Sequence, residues 1–454
     1  MIQTIVIAIP ALLALIECIR RGPERAFLNV YLPVLLFLPE HWWSISGQYS
    51  FPDTAIIPIA AFLLFRPKEK SRWSIVDFLV IGYVAITAVA EGMNKGYKIG
   101  AQNVILQDLG TILLPYFAVR HMFRQPQFVV DVAKRIAVCL TIVAIISVYE
   151  FRMGSDLFTW VWDGIFRREA SGLFRAGFMR VQGPYGHAIT LGLMMAVGFR
   201  VARWLEWNGT WNSRMPFLPI SKIRFCELWI AAGSLMSLSV GPWLGAACAA
   251  VMIAIFRAHN RIRATILLAT LIAVFGMPIY ISFMDYVSVD PGAARAAGDR
   301  LQEDSAYRHK LLPLYMPVVE ERPTWGWGRN EFPMLDGMGS IDNAYLFTAL
   351  TFGVYALALQ VALLVWPPIL LGIFSLRRPR NDPRALAAIS MIGIYILNVV
   401  VDGTASGGGT PWRVMFLIAG WSATLLTGTA AEVVLIDPAR SWPQTQLGFR
   451  KVMV

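Results

Sequence analysis

Arginines gather in two polar stretches beside long apolar sequence, and their neighbours suggest anion chemistry. The first stretch, Arg175-Ala-Gly-Phe-Met-Arg180-Val-Gln-Gly183-Pro-Tyr-Gly186-His187, runs directly into apolar sequence. Gly183 to Gly186 forces a turn, which sets Arg175 and Arg180 just above a predicted helix N-terminus. Free backbone N–H groups and the helix dipole favour an anion there, and a guanidinium adds a planar fork that grips phosphate through two hydrogen bonds. His187, in the first turn, reads either as a ligand-facing polar group or as an interfacial histidine with its hydrogen bond satisfied. In the second stretch Tyr307, Leu311, Leu314, Tyr315 and Val318 recur near helical spacing. That spacing predicts a short amphipathic helix on a membrane surface with Arg308 at its start, and Pro313 and Pro317 oppose it. Trp325-Gly326-Trp327-Gly328 is either an interface anchor or a sugar-stacking platform. Asp342 and Asn343 precede an apolar run, as helix caps or, for the carboxylate, as an acceptor of a hydroxyl proton. Ser237 to Trp243 reads as a tight turn between two short apolar segments.

The elements that must position these residues are membrane helices. Of 454 residues, 56% are hydrophobic and 15% charged; a soluble domain carries about 25% charge, so a water-soluble enzyme is excluded. Apolar runs near 20 residues cross about 30 Å of hydrocarbon. About thirteen candidates occur, near 2–19, 26–38, 53–65, 74–91, 104–119, 129–150, 186–204, 226–240, 242–256, 264–283, 342–374, 385–401 and 411–435. The 26–38 and 53–65 pair, and the 226–240 and 242–256 pair, are short enough to be tilted spans or re-entrant hairpins. The expected fold class is all-α, a polytopic membrane bundle of about 12–13 helices forming a single membrane domain over 1–454. Two ordered outer loops, 152–185 and 284–341, complete it.

The net charge of +11 fits cytoplasmic loops facing anionic lipid rather than nucleic acid. Basic clusters at 66–72, 120–124, 203–224, 257–263 and 377–384 all fall on one predicted side, the cytoplasm by the positive-inside rule, with the N-terminus outside. The first apolar stretch lacks a basic start and a cleavage site and is expected to stay as a helix. The two outer loops break the charge rule with many arginines, most of them read as solvated ion pairs and a few as anion ligands. Cys18, Cys139, Cys226 and Cys248 sit in apolar stretches as small core residues, and no metal-ligand or nucleotide-binding spacing occurs. No metal or cofactor is expected.

Taken in order, these segments resemble the O-antigen ligase and O-antigen polymerase superfamily of membrane glycosyltransferases. Its members show an arginine before a Gly-rich "G-x-F/Y-G-H" helix start, then "S-x-S-R-G-x-W". A long external loop follows that carries an arginine and ends in "P-x-x-G-x-G", and then comes "H/D-N-x-Y-L". The matching stretches are Arg180 to His187, Ser237 to Trp243, Arg308, Pro323 to Gly328 and Asp342 to Leu346, and the likeness covers roughly residues 100–435. Arg175 to Gly186 also fits the arginine-to-glycine spacing of polymerases. Val240 stands where the family often has arginine, and Asp342 where ligases carry a histidine, which points towards a polymerase.

The resemblance implies a GT-C-like helical fold in a bacterial inner membrane, with the active site facing the periplasm. It implies a polyprenyl-diphosphate-linked oligosaccharide donor, a second lipid-linked glycan as acceptor, and inverting chemistry without metal or nucleotide sugar. Arg180, Arg308 and Arg175 would hold the diphosphate. Asp342, or failing that His187, would take the proton, and Trp325, Trp327 and Tyr345 would contact the glycan. Membrane lipids, a flippase and a chain-length regulator are the partners it suggests. A ligase moving finished glycan to another acceptor, or a transporter of lipid-linked glycan, are the alternatives.

Overall fold

The computed structural model describes residues 2–39, 49–66, 72–162, 174–175, 177–216, 218–329, 331–405 and 408–428. The chain folds as an all-α bundle, and among the described residues seven helical stretches are long and apolar enough to cross a membrane. Among the described residues sheet is confined to two small hairpins, Phe174–Arg175 with Phe178–Met179 and Arg214–Met215 with Leu218–Ser221.

The first helices are α1 (Ile2–Arg21), α2 (Pro23–Ala26, continuing through Phe27–Tyr31 to Leu32–Phe37) and α3 (Phe51–Leu64). Next come α4 (Ile75–Gly96) and α5, a continuous run from Tyr97 to Met122 carrying π-helical turns at Tyr97–Ala101 and Leu109–Leu113. Together α4 and α5 form one apolar helical stretch of 48 residues, yet they do not form one rod. Gly96 takes φ 73° and ψ 177°, outside the helical region, and the chain doubles back on itself. The return is tight enough that a Cβ on Gly100 would lie 2.4 Å from the Glu91 carbonyl oxygen. Polar pairs then register the two arms. Thr87 Oγ1 donates to Asp108 Oδ2 at 3.1 Å near the turn. Asp77 near the far end accepts from Arg120 Nε at 3.1 Å and from the Tyr116 hydroxyl at 2.6 Å.

The remaining long helices are α6 (Pro126–Met153), α7 (Ala188–Trp207), α8 (Lys222–Met236), α9 (Val240–Arg257) and α10 (Arg261–Val287). They are followed by α11 (Arg300–Glu321), α12 (Ala344–Leu376), α13 (Pro383–Asp402) and α14 (Gly409–Leu426). Helices α7 and α13 are buried nearly all round and form the centre of one large apolar core. Helix α10 is the opposite case: its most apolar window has mean hydropathy 2.2 and no buried residue. An all-apolar helix that is exposed all round is stable only with lipid as its solvent.

Two features of the 284–341 stretch differ from the sequence expectation. The amphipathic helix is longer than expected and runs through both prolines, capped at its start by Asp299, whose carboxylate accepts from Gln302 N–H at 2.9 Å. It also does not lie freely on a surface. Leu311, Tyr315, Val318 and Val319 are buried against Ile341, Leu346, Ala349 and Leu350. Apolar burial on a protein partner holds the helix where the proline positions each forfeit a backbone hydrogen bond. Of the 152–185 stretch, residues 163–173 and 176 lie outside the described residues.

Helix α12 is broken at Gly353, with φ 83° and ψ 179°. The turn Pro323–Gly328 docks in the break. Trp327 and Gly328 donate their N–H groups to the Leu350 and Thr351 carbonyls at 2.8 and 2.9 Å, and Val354 N–H donates to the Pro323 carbonyl at 2.7 Å. The groups freed by the break are thereby satisfied, as buried backbone requires. No side chain fits here: a Cβ on Gly353 would stand 2.2 Å from the Thr324 carbonyl oxygen, and one on Gly326 2.6 Å from that of Leu350.

Candidate functional site

Arg180 follows the first hairpin and precedes α7. Val181 N–H donates to the Met236 carbonyl at 3.4 Å, which ties this strand to the end of α8. The turn after α8 is then within reach: Arg180 Nη2 donates to Ser239 Oγ at 3.0 Å, and Ser239 Oγ donates to the Ser237 carbonyl at 3.0 Å. Arg175 spans from the same turn to α11. Its Nη1 donates to the Leu238 carbonyl at 2.8 Å and its Nη2 to the Asp304 carboxylate.

Arg308, one helical turn beyond Asp304, lies half-buried with Nη2 3.6 Å from Asp342 Oδ2. Asp342 is held from its other oxygen. The Tyr307 hydroxyl bonds the Ser340 backbone on both sides, accepting from its N–H at 3.0 Å and donating to its carbonyl at 2.6 Å. Ser340 Oγ in turn donates to Asp342 Oδ1 at 2.9 Å. Asn343, not Asp342, caps α12, accepting from Leu346 N–H at 3.0 Å. The Asp342 carboxylate is therefore not spent on the helix end.

Three guanidiniums from two distant stretches of the chain thus meet. Arg180 is only 8% exposed. Burial first, then the positive charge of Arg175, and after it that of Arg308, lower its pKa to about 10, against the opposing pull of Asp304. The Nε atoms of Arg180 and Arg308 are both buried without a hydrogen-bond partner among the described residues. Two unspent donors and three positive charges against two carboxylates form a site that gains by taking an anion.

Asp342 also borders a cavity of about 920 Å³, lined among others by His187, Asp108, Arg329, Trp412 and Arg413. His187 is the N-cap of α7: its Nδ1 accepts from Ile189 N–H at 3.2 Å. An imidazole that accepts at Nδ1 carries its proton on Nε2 when neutral.

The aromatic candidates are placed in packing. Trp327 Nε1 donates to the Val318 carbonyl at 3.0 Å, and the Arg322 guanidinium covers its ring at 4.3 Å. Trp325 lies against Tyr355, ring centroids 6.2 Å apart. The Tyr345 hydroxyl donates to the Val399 carbonyl at 2.9 Å. None of the three lines the cavity, whereas Tyr83 and Trp412 do, their rings 5.6 Å apart.

Sequence reasoning singled out neither Arg329 nor Arg413. Arg329 follows the docked turn; its N–H donates to Glu91 Oε2 at 2.9 Å, its Nη1 to Gln107, and its Nη2 lies 3.8 Å from Asp108. Arg413 brackets the fully buried Asp53, with Nη2 2.8 Å from both carboxylate oxygens. Their partners stand 221 and 360 residues away in sequence, so no local spacing announces them. The available signal was the carboxylates: ionisable residues inside apolar helices, such as Asp53 and Asp108, require partners. Among the described residues no cluster of metal-ligating side chains occurs. Compared with known proteins, the chain matches no family model and no curated protein.

Proposed function

We propose that the chain is a membrane glycosyltransferase that polymerises polyprenyl-diphosphate-linked oligosaccharide repeat units into a surface polysaccharide. The observation that carries this reading is the meeting of Arg175, Arg180 and Arg308 beside Asp342, which itself lines a cavity large enough for sugar rings, although none of the three arginines does. In this reading the arginines bind the donor diphosphate and stabilise the charge that grows on it as the glycosidic bond breaks. A hydroxyl of the acceptor glycan attacks the anomeric carbon from the opposite face. The new carbon–oxygen bond forms as the bond to phosphate oxygen breaks, the configuration inverts, the hydroxyl proton passes to Asp342, and polyprenyl diphosphate leaves. The cavity holds sugar rings against Tyr83 and Trp412, and lipid around the bundle takes the prenyl tail.

The same reading sets the chain in a bacterial inner membrane with about thirteen crossings. The ends carrying Arg66, Arg120, Arg203 and Arg378 face the cytoplasm, and the arginine site faces the periplasm. Purified protein incubated with lipid-linked repeat units, with no ATP or ion gradient, tests it. Longer glycan chains are expected, and Arg308→Ala or Arg180→Ala should slow their formation about 100-fold, as removal of a charge-stabilising donor does. Wild-type polymer from a well-folded double variant would remove the assignment, transfer to a foreign acceptor would mark a ligase, and no turnover would leave a carrier.

A further inference from the structure

At the opposite end of the bundle, Trp207 closes α7 beneath three guanidiniums. Arg257, at the end of α9, lies 4.2 Å from its ring centroid, Arg200 5.7 Å and Arg203 5.9 Å. Four arginines and two glutamates occupy this corner, and the acids are unevenly used. Arg203 pairs with Glu206 and, at 3.6 Å, with Glu227, while Arg224 Nε lies 3.4 Å from Glu206. Arg200 and Arg257 make no hydrogen bond or ion pair among the described residues, and the Trp207 indole N–H is buried without an acceptor. Glu227 Oε1 and Asn208 Oδ1 in the same corner are likewise buried without a hydrogen-bond partner among the described residues, and neither bonds these cations. Cation–π contact and the more distant charges of Glu206 and Glu227 compensate the two guanidiniums only in part, so two cations and a buried donor can take an anionic acceptor.

We propose that this corner binds the phosphodiester headgroup of an anionic phospholipid. The site sits where α7 and α9 end, at headgroup depth for helices that cross a bilayer, and basic pockets between such helices suit anionic headgroups. Apolar side chains exposed on α9 and α10, among them Leu244, Val251, Ile262 and Ile266, continue from it and would lie along acyl chains. A free phosphate has no use for that apolar face; a lipid fills both. The inference depends on the bundle being in a membrane and not on the glycan chemistry.

Native mass spectrometry of the purified full chain, titrated with cardiolipin, phosphatidylglycerol or phosphatidylcholine, reads it. Anionic lipids should be retained in preference to phosphatidylcholine. Arg200→Gln and Arg257→Gln should each weaken their retention about fivefold, the effect of one arginine at an anionic surface, and Arg257→Lys should keep most of it. Arg257 is exposed, so its variants fold even if Arg200→Gln does not. Equal retention of phosphatidylcholine, or undiminished anionic-lipid binding by Arg257→Gln, would overturn the proposal. So would full competition by inorganic phosphate at the lipid's own concentration.

Discussion

Among single residues, Arg180 carries the clearest consequence. Burial and two neighbouring cations lower its pKa to about 10, so the fold bears the cost of a charged guanidinium at every pH below that value. The cost is relieved as the pH rises through about 10, and a bound anion relieves it at lower pH by favouring the charged form. Sulfate, whose own charge is constant, should therefore raise the melting temperature by the same amount from pH 7 to 9 and lose part of that effect only as the pH climbs beyond about 10, since the bound anion itself favours the charged form. Thermal unfolding in detergent checks this, and Arg180→Gln should abolish most of the shift. Asp342→Asn is expected to leave the sulfate effect in place while stopping glycan transfer, because in the proposed mechanism the carboxylate accepts a proton and does not hold the anion. Arg175, Arg180 and Arg308 could be singled out in the sequence because each lies in a distinctive local pattern. Arg329 could not, since what gives it meaning is Asp108, a residue in another helix.

Among the elements, the junction between the Pro323–Gly328 turn and α12 fixes how Arg329 reaches the cavity. Gly353→Ala would add a side chain where the Thr324 carbonyl oxygen already stands and force a positive φ on alanine. It should cost about 2–4 kcal/mol and free the turn for proteolysis. The same substitution at Gly276 on exposed α10, where the nearest atom is 3.4 Å away, should be neutral or mildly stabilising. Long apolar runs made most of these helices readable in the sequence, because hydrocarbon demands them. The interruption at Gly353 was not readable: the run 342–374 holds two glycines, Gly353 and Gly372, nothing in the sequence separates them, and only the carbonyls offered to Trp327 and Gly328 reveal the break. The reversal at Gly96 was easier, since polar Glu91 to Lys98 separates two apolar stretches.

For the molecule as a whole, charge is sorted between its two ends. Contacts place Arg66 beside Glu24 and the Arg72 carbonyl beside Arg120, while Arg380 reaches the His259 carbonyl. Arg175, Arg180, Arg308 and Arg329 occupy the other end with Asp304, Asp342 and Asp108. With exposed Cys248 replaced by alanine, a cysteine at Arg224 should react with an impermeant thiol reagent only in opened cells, and one at Arg295 in intact cells. Reaction of both in intact cells would contradict the proposed orientation.

The break in α12 also separates two angular settings. In an unbroken helix, each inserted residue turns everything beyond it by about 100°, so a change near one membrane face would swing groups at the other. Here the hinge-like discontinuity at Gly353 absorbs that rotation: insertions in the long arm after it alter lipid-facing stripes and leave Asp342 aimed as before. The short arm, anchored to α11 and α13, can thus keep a fixed bearing on its arginines while the rest of the rod drifts to suit bilayers of different thickness.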